Sequence, residues 1–159
     1  MSAKGSRALS EAKEHLAELV ERSGALTALL ITRDGTALVE AGDTGYLNTT
    51  ALAALVAGMF TATREVARIV GEQHFSILLQ QGETRHIHIS LVTESAMLVV
   101  VFEDYQRIGR VRHEARKSSD GLAKVLAASS DREMAQQEVS LPEFKEYALN
   151  LIDRIFETR

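Results

Sequence analysis

The sequence predicts an α/β domain of the α+β type, with element order α-β-β-α-β-β-β-α and a further helix at the C-terminus. Three observations carry that expectation. Thr50 to Val70, TALAALVAGMFTATREVARIV, repeats its apolar residues at helical spacing over a length few globular helices reach. Arg85 to Val92 alternates strictly, with Ile87, Ile89 and Leu91 facing one way and His86, His88 and Ser90 the other. Ala25 to Thr32, ALTALLIT, and Ala96 to Phe102, AMLVVVF, are continuous apolar runs. Both are short for helices, and the second has the character of a strand covered on both faces.

The remaining elements follow in chain order. Ser6 to Arg22 reads as a first helix, with Leu9, Ala12, Leu16, Leu19 and Val20 in a narrow apolar stripe and Ser23-Gly24 as the stop. Arg33-Asp34-Gly35 turns the chain between the strand Ala25 to Thr32 and a returning strand, Thr36 to Ala41. Gly42 to Asn48 is a polar loop, and Asn48, Thr49 or Thr50 can cap the long helix by accepting from its free amides. After Gly71 come His74 to Gln81, a turn at Gln81-Gly82-Glu83, Arg85 to Val92, a second turn at Thr93 to Ser95, and Ala96 to Phe102. Ile108 to Leu126 is a third helix, with Ile108, Val111, Ala115, Leu122, Val125 and Leu126 as its inner stripe. The expected domain therefore covers residues 1–126.

A polar connector, Ala127 to Val139, leads to a last helix over residues 140–159. Ser140 and Glu143 have the spacing of a capping box, and Pro142 is tolerated in the first turn, where a missing amide costs little. Phe144, Leu151, Ile152 and Ile155 lie on its apolar face. This helix either packs on its own domain or serves as an arm for a partner.

The long helix has an unusual composition. Leu52, Leu55, Val56, Met59, Thr63, Val66 and Val70 form the stripe expected to face the core. The opposite side carries Ala51, Ala54, Gly58, Ala62 and Ile69, with polarity confined mostly to Thr61, Arg64, Glu65 and Arg68. Glycine inside a helix costs on the order of 1 kcal/mol relative to alanine, and close approach of another backbone is the usual reason to keep it. The helix is thus expected to be contacted on both sides, by its own sheet and by a second body. The alternative is burial between two layers of its own domain.

Composition limits the function classes. The chain has 159 residues, 45% hydrophobic and 25% charged, as suits one compact domain with an appendage. A net charge of −4 argues against a nucleic-acid binder that works through overall basicity. With no cysteine, disulfides, thiolate metal sites and thiol nucleophiles are excluded. No run approaches the ~20 apolar residues of a membrane span, and the N-terminus has no signal-peptide pattern, so a cytoplasmic protein without membrane insertion is expected.

The patterns GALTALLITRDG, NTTALAALVAGMFTATREVARIVGEQHF and MLVVVFEDYQRIGRVR resemble the roadblock/dynein light chain domain family over about Arg7 to Leu126, and its MglB-type bacterial members in particular. The resemblance implies a five-stranded antiparallel sheet with the long helix on one face and the first and third helices on the other. It further implies a cytoplasmic homodimer that pairs third strands and long helices across Ala51, Ala54, Gly58, Ala62, Ile77 and Leu79. The implied partner is an MglA-type Ras-like GTPase of cell polarity and motility, contacted near Thr61, Arg64, Glu65 and Arg68. In this reading the chain stimulates GTP hydrolysis by repositioning the GTPase's own residues, with no catalytic residue and no cofactor of its own; a scaffold that binds without stimulating is the alternative. The chain departs from the MglB pattern at Thr61 and Glu65, where small residues are usual.

Other chemistry has weaker support. His86 and His88, with His74, could seed a metal site, although histidines on a solvated strand face are commonplace and no metal is expected. No Walker A, G-x-G-x-x-G or G-x-S-x-G pattern occurs. Arg107, Arg110, Arg112, His113, Arg116 and Lys117 form a basic cluster, read either as a solvated face balanced by Glu103, Asp104 and Glu114 or as an electrostatic landing site.

Overall fold

The computed structural model describes residues 3–130. The chain divides into two units, Met1–Val125 and Leu126–Arg159, and the first carries the sheet. The elements are α1 (Ala3–Ser23), β1 (Thr27–Thr32), β2 (Ala37–Gly42), α2 (Thr49–Val70), β3 (Ile77–Gln81), β4 (His86–Thr93) and β5 (Ala96–Phe102). A 3-10 turn, Tyr105–Arg107, leads into a third helix, α3, which starts at residue 108. Helical geometry continues through residues 127–130, past the expected end at Leu126. Most of the connector, and the candidate arm residues Phe144, Leu151, Ile152 and Ile155, lie outside the described residues.

The five strands form one antiparallel sheet in the order β2-β1-β5-β4-β3. Every residue of β5 is buried, as its unbroken apolar sequence requires, and β1 beside it is nearly so. Register then sorts the side chains by face. Leu29 pairs with Val99 and Ile31 with Met97, and all four join Ile89 beneath Ala53, Val56, Ala57 and Phe60 of α2. Leu30 pairs with Leu98 and Ala28 with Val100 on the opposite face. That second face belongs to α1 and α3, whose buried stripes are Ala12, Leu16 and Leu19, and Val111, Ala115 and Leu122. The two helices meet where Ser118 Oγ donates to the His15 carbonyl at 3.4 Å.

The sheet leaves two unpaired edges, β2 and β3. Strand β3 is shorter than expected, starting at Ile77, with His74 in the exposed turn that follows α2. At the β1–β2 turn, Gly35 takes φ 94° and packs so closely on α2 that a Cβ would press on the Ala54 backbone. Glycine serves there on two counts, since φ is positive and there is no room for a side chain.

Candidate interaction surface

Helix α2 is held at both ends by capping bonds. Asn48 accepts from the Ala51 amide at 3.0 Å, which fixes the start. At the other end Gly71 adopts φ 88°, and the amides of Gly71 and Glu72 return to the Arg68 and Ala67 carbonyls at 3.2 and 2.8 Å. These caps fix where the helix begins and ends, while its rotation on the sheet differs from the expected one.

The inner face is Ala53, Val56, Ala57, Phe60 and Ala67. Of the stripe expected to face the core, only Val56 is fully buried; Leu52, Met59 and Thr63 are half-buried at its margin, while Leu55, Val66 and Val70 face solvent. The helix is turned by about 90° from the expectation at 100° per residue. The physical reason is spacing. Alanines at 53, 57 and 67 let the helix sit low on the sheet with Phe60 filling the remaining space, so the bulky aliphatic residues point outward.

The outward row is apolar along the whole helix. Ile69 is 85% exposed, Leu55 69%, Val70 63% and Val66 51%. Between them Ala51, Ala54, Gly58 and Ala62 are exposed as well. A Cβ at Gly58 would meet nothing within 4 Å, so nothing in its own fold requires the glycine. A row of large aliphatic side chains flanking a shallow strip of small ones has the shape of a docking face. At the sheet edge, Ile77 and Leu79 are also exposed, on the strand face opposite Leu78.

The polar residues Thr61, Arg64, Glu65 and Arg68 lie along one flank of this face. Thr61 Oγ1 donates to the Ala57 carbonyl at 3.0 Å, and Arg68 pairs with Glu65 at 3.5 Å. Both partners of that ion pair are well exposed, so it contributes little to stability and stays available to another protein. Arg64 is half-buried and lines a small depression with Arg33, Phe60, Leu91 and Glu94. A larger cavity of about 620 Å³ continues from it past Arg68, Glu72 and His74.

Arg33, His74 and Glu94 were not singled out for this surface by the sequence. They come from turns far apart in the chain, which the adjacency of β1, β5 and β4 gathers beneath the C-terminal half of α2. The sequence signal that could have found Arg33 and Glu94 is their place in the β1–β2 and β4–β5 turns, which the pairing of β1 with β5 sets side by side, with Arg33 N donating to the Ser95 carbonyl at 2.9 Å.

The histidine pair lies elsewhere, and not on a solvated face. Strand β4 turns His86, His88 and Ser90 toward α3, and all three are buried. The expectation that this face is wet fails because α3 covers it. His86 accepts from the Gly82 amide at 3.2 Å and packs against Phe102 and Tyr105. Among the described residues no group of three or more His, Asp or Glu side chains is placed to hold a metal ion.

His88 is 1% exposed, and neither ring nitrogen has a partner. Burial, and secondarily the nearby Arg112 guanidinium, hold its pKa below the ordinary imidazole value. In the unfolded chain the ring takes up a proton near pH ~6.5, whereas the folded protein resists protonation until lower pH. Its contribution is therefore fully present above that value and is lost as pH falls through the lowered folded pKa. Thermal melts should show declining stability below about pH 6.5, and His88→Leu should flatten that part of the profile. An unchanged slope in the variant would exclude His88 as its source.

The fold is a five-stranded antiparallel sheet packed between helices, with an exposed apolar row on the outer side of α2. Residues 11–102 match the Roadblock/LC7 domain, and the chain belongs to that family. Among solved structures it is similar to Myxococcus xanthus MglB, at 27% identity and TM-score 0.73, covering 76% of this chain and 91% of that one. It is also similar to the gliding protein MglB of Thermus thermophilus, at 32% identity and TM-score 0.69, covering 79% and 92%. An MglB described as having a tetrameric arrangement matches at 29% identity and TM-score 0.71, covering 81% and 94%. A comparison with curated proteins finds no match. No helix among the described residues is long and apolar enough to cross a membrane.

Proposed function

We propose that this chain acts as a homodimer that binds an MglA-type, Ras-like small GTPase and stimulates its GTP hydrolysis. What supports the reading is the outer face of α2: an unpartnered apolar row bordered by a charged flank, in a chain similar to MglB proteins. Two copies that bring Ala51, Ala54, Gly58 and Ala62 together place backbones close and cover Leu55, Val66 and Ile69. Pairing along β3 removes an exposed edge that otherwise invites aggregation. The flanks carrying Thr61, Arg64, Glu65 and Arg68 then border the seam and are free to hold the GTPase.

The assistance is positional. Phosphoryl transfer needs an in-line water and donors for the charge that develops on the phosphate oxygens, and a partner can fix both by holding the GTPase's own glutamine and arginine in place. Arg64 is half-buried and lines its depression together with Glu94, which counts against a free finger there, while Arg68 is held only by an exposed pair with Glu65 and stays available to another protein. The same Glu65 pair, with Thr61 on the flank where MglB-like chains tend to have small residues, favours as second reading an adaptor that binds without stimulating.

Phosphate release from the GTP-loaded partner separates the readings. Titrating in the protein should accelerate turnover to a plateau; binding with no acceleration leaves the adaptor. Arg64→Ala and Arg68→Ala should each weaken binding while the saturated rate stays within about ten-fold, whereas loss of an arginine finger costs ~10³ or more. A collapse of the saturated rate in either variant contradicts positioning.

A further inference from the structure

The face opposite α2 carries a second concentration of polar groups. A groove of about 530 Å³ runs between α3 and the outer strands β3 and β4. Arg112, Arg116 and Ser119 recur along α3 at the spacing of one helical face, and His88 and Ser90 on β4 line the same groove. The lining carries two guanidiniums, two imidazoles with His113, and three hydroxyls with Ser76, all able to donate, against Asp120 as the one carboxylate.

Three of these groups lack partners. Both ring nitrogens of His88, the Ser90 hydroxyl and the Ser119 hydroxyl are buried without a hydrogen bond. Native interiors rarely leave such groups unpaired, because an unmet buried donor costs on the order of 1–3 kcal/mol. Among the described residues, neither Arg112 nor Arg116 takes part in an ion pair. Unpaired donors at the floor and unpaired cations at the rim call for the same thing, a compact group with several acceptor oxygens.

We propose that the groove between α3 and β4 is a binding site for a phosphate-type oxyanion, with Arg112 and Arg116 taking its charge and Ser119, Ser90 and His88 donating from beneath. Guanidinium is suited to this because its planar fork gives two parallel bonds to one oxyanion. The rim arginine side chains are exposed, and Arg112 lies near enough to His88 to act on its charge, so rim and floor belong to one site. Asp120 limits affinity by repulsion, which points to millimolar binding of the bare ion and tighter binding of a larger phosphorylated molecule. The site lies on the sheet face opposite α2 and stands independently of the GTPase reading.

Inorganic phosphate is the probe, titrated into the full chain at constant ionic strength with chloride and acetate as parallel arms. Histidine side-chain NMR signals should shift saturably with phosphate, and the melting temperature should rise with it as binding to the folded state demands. Acetate should act at least several-fold more weakly, and chloride not at all. In the double variant Arg112→Gln with Arg116→Gln, apparent affinity should fall about ten-fold or more. Both positions are exposed, so that variant folds, and its melting curve without phosphate checks this. No saturable shift, an equal response to acetate or chloride, or unchanged affinity in the double variant would overturn the assignment.

Discussion

Gly58→Arg is expected to convert the proposed homodimer to monomer and to abolish the proposed stimulation of GTP turnover with it. In the isolated chain the substitution is harmless, because position 58 faces solvent with nothing within 4 Å of an added Cβ. Helix propensity even favours it, arginine being a better helix former than glycine by several tenths of a kcal/mol. In a seam where two α2 helices approach at Gly58, a long charged side chain both clashes and buries an unpaired charge, at a cost of several kcal/mol. Light scattering should report half the wild-type mass while the far-UV spectrum is unchanged. A dimer of unchanged mass would remove the seam from the account.

The second large effect is on the fold. Phe60→Ala should destabilise the protein by about 3 kcal/mol or more, since a large aromatic is lost from a packed interior that cannot fully close. Phe60 is buried between α2 and the sheet, in contact with the cluster of Leu29, Ile31, Ile89, Met97 and Val99. For a unit of this size the melting temperature should fall on the order of 10 °C. Ile69→Ala, nine residues further along the same helix, is the contrast. Ile69 is largely exposed in the single chain, so its truncation should weaken association and leave the monomer's stability almost untouched. Equal losses from the two substitutions would mean that the helix is rotated from its observed setting.

That contrast also marks the limit of what was legible in the sequence. The element order, the turn at Gly35, a cap among Asn48, Thr49 and Thr50, and the central position of β5 could all be read, because each rests on a local signal: a period, a positive-φ residue, a capping side chain, an unbroken apolar run. The rotation of α2 could not be read. A helix apolar on two sides gives no unique moment direction, and the larger side chains, Leu55, Val66 and Val70, drew the expected core to the wrong side. What decides the matter is the height of the helix above the sheet, which depends on Ala53, Ala57 and Ala67 as a set against buried residues from β1, β4 and β5.

The histidines failed for a similar reason. Alternation along β4 separates His86, His88 and Ser90 from Ile87, Ile89 and Leu91 correctly, but it assigns the polar side to water. Only the position of α3, which meets the distant α1 where Ser118 bonds the His15 carbonyl, shows that both faces are covered. The candidate flank was legible where it lies on one helix, at Thr61, Arg64, Glu65 and Arg68. It was not legible at Arg33 and Glu94, which reach it through strand adjacency alone.

Disulfide trapping tests the seam most directly, and the absence of cysteine from the chain makes it clean. In a two-fold pair of α2 helices, the residue at the crossing meets its own copy, and a disulfide forms only where Cα atoms lie within about 7 Å. Gly58→Cys, Ala62→Cys and Val66→Cys, each made singly and oxidised mildly, sample one turn on either side of Ala62, with Leu38→Cys on the exposed β2 edge as the control. Near-complete covalent dimer is expected from at least one of the three α2 variants, and only slow, concentration-dependent dimer from the control. Trapping at Leu38→Cys with none at the three α2 positions would contradict the seam.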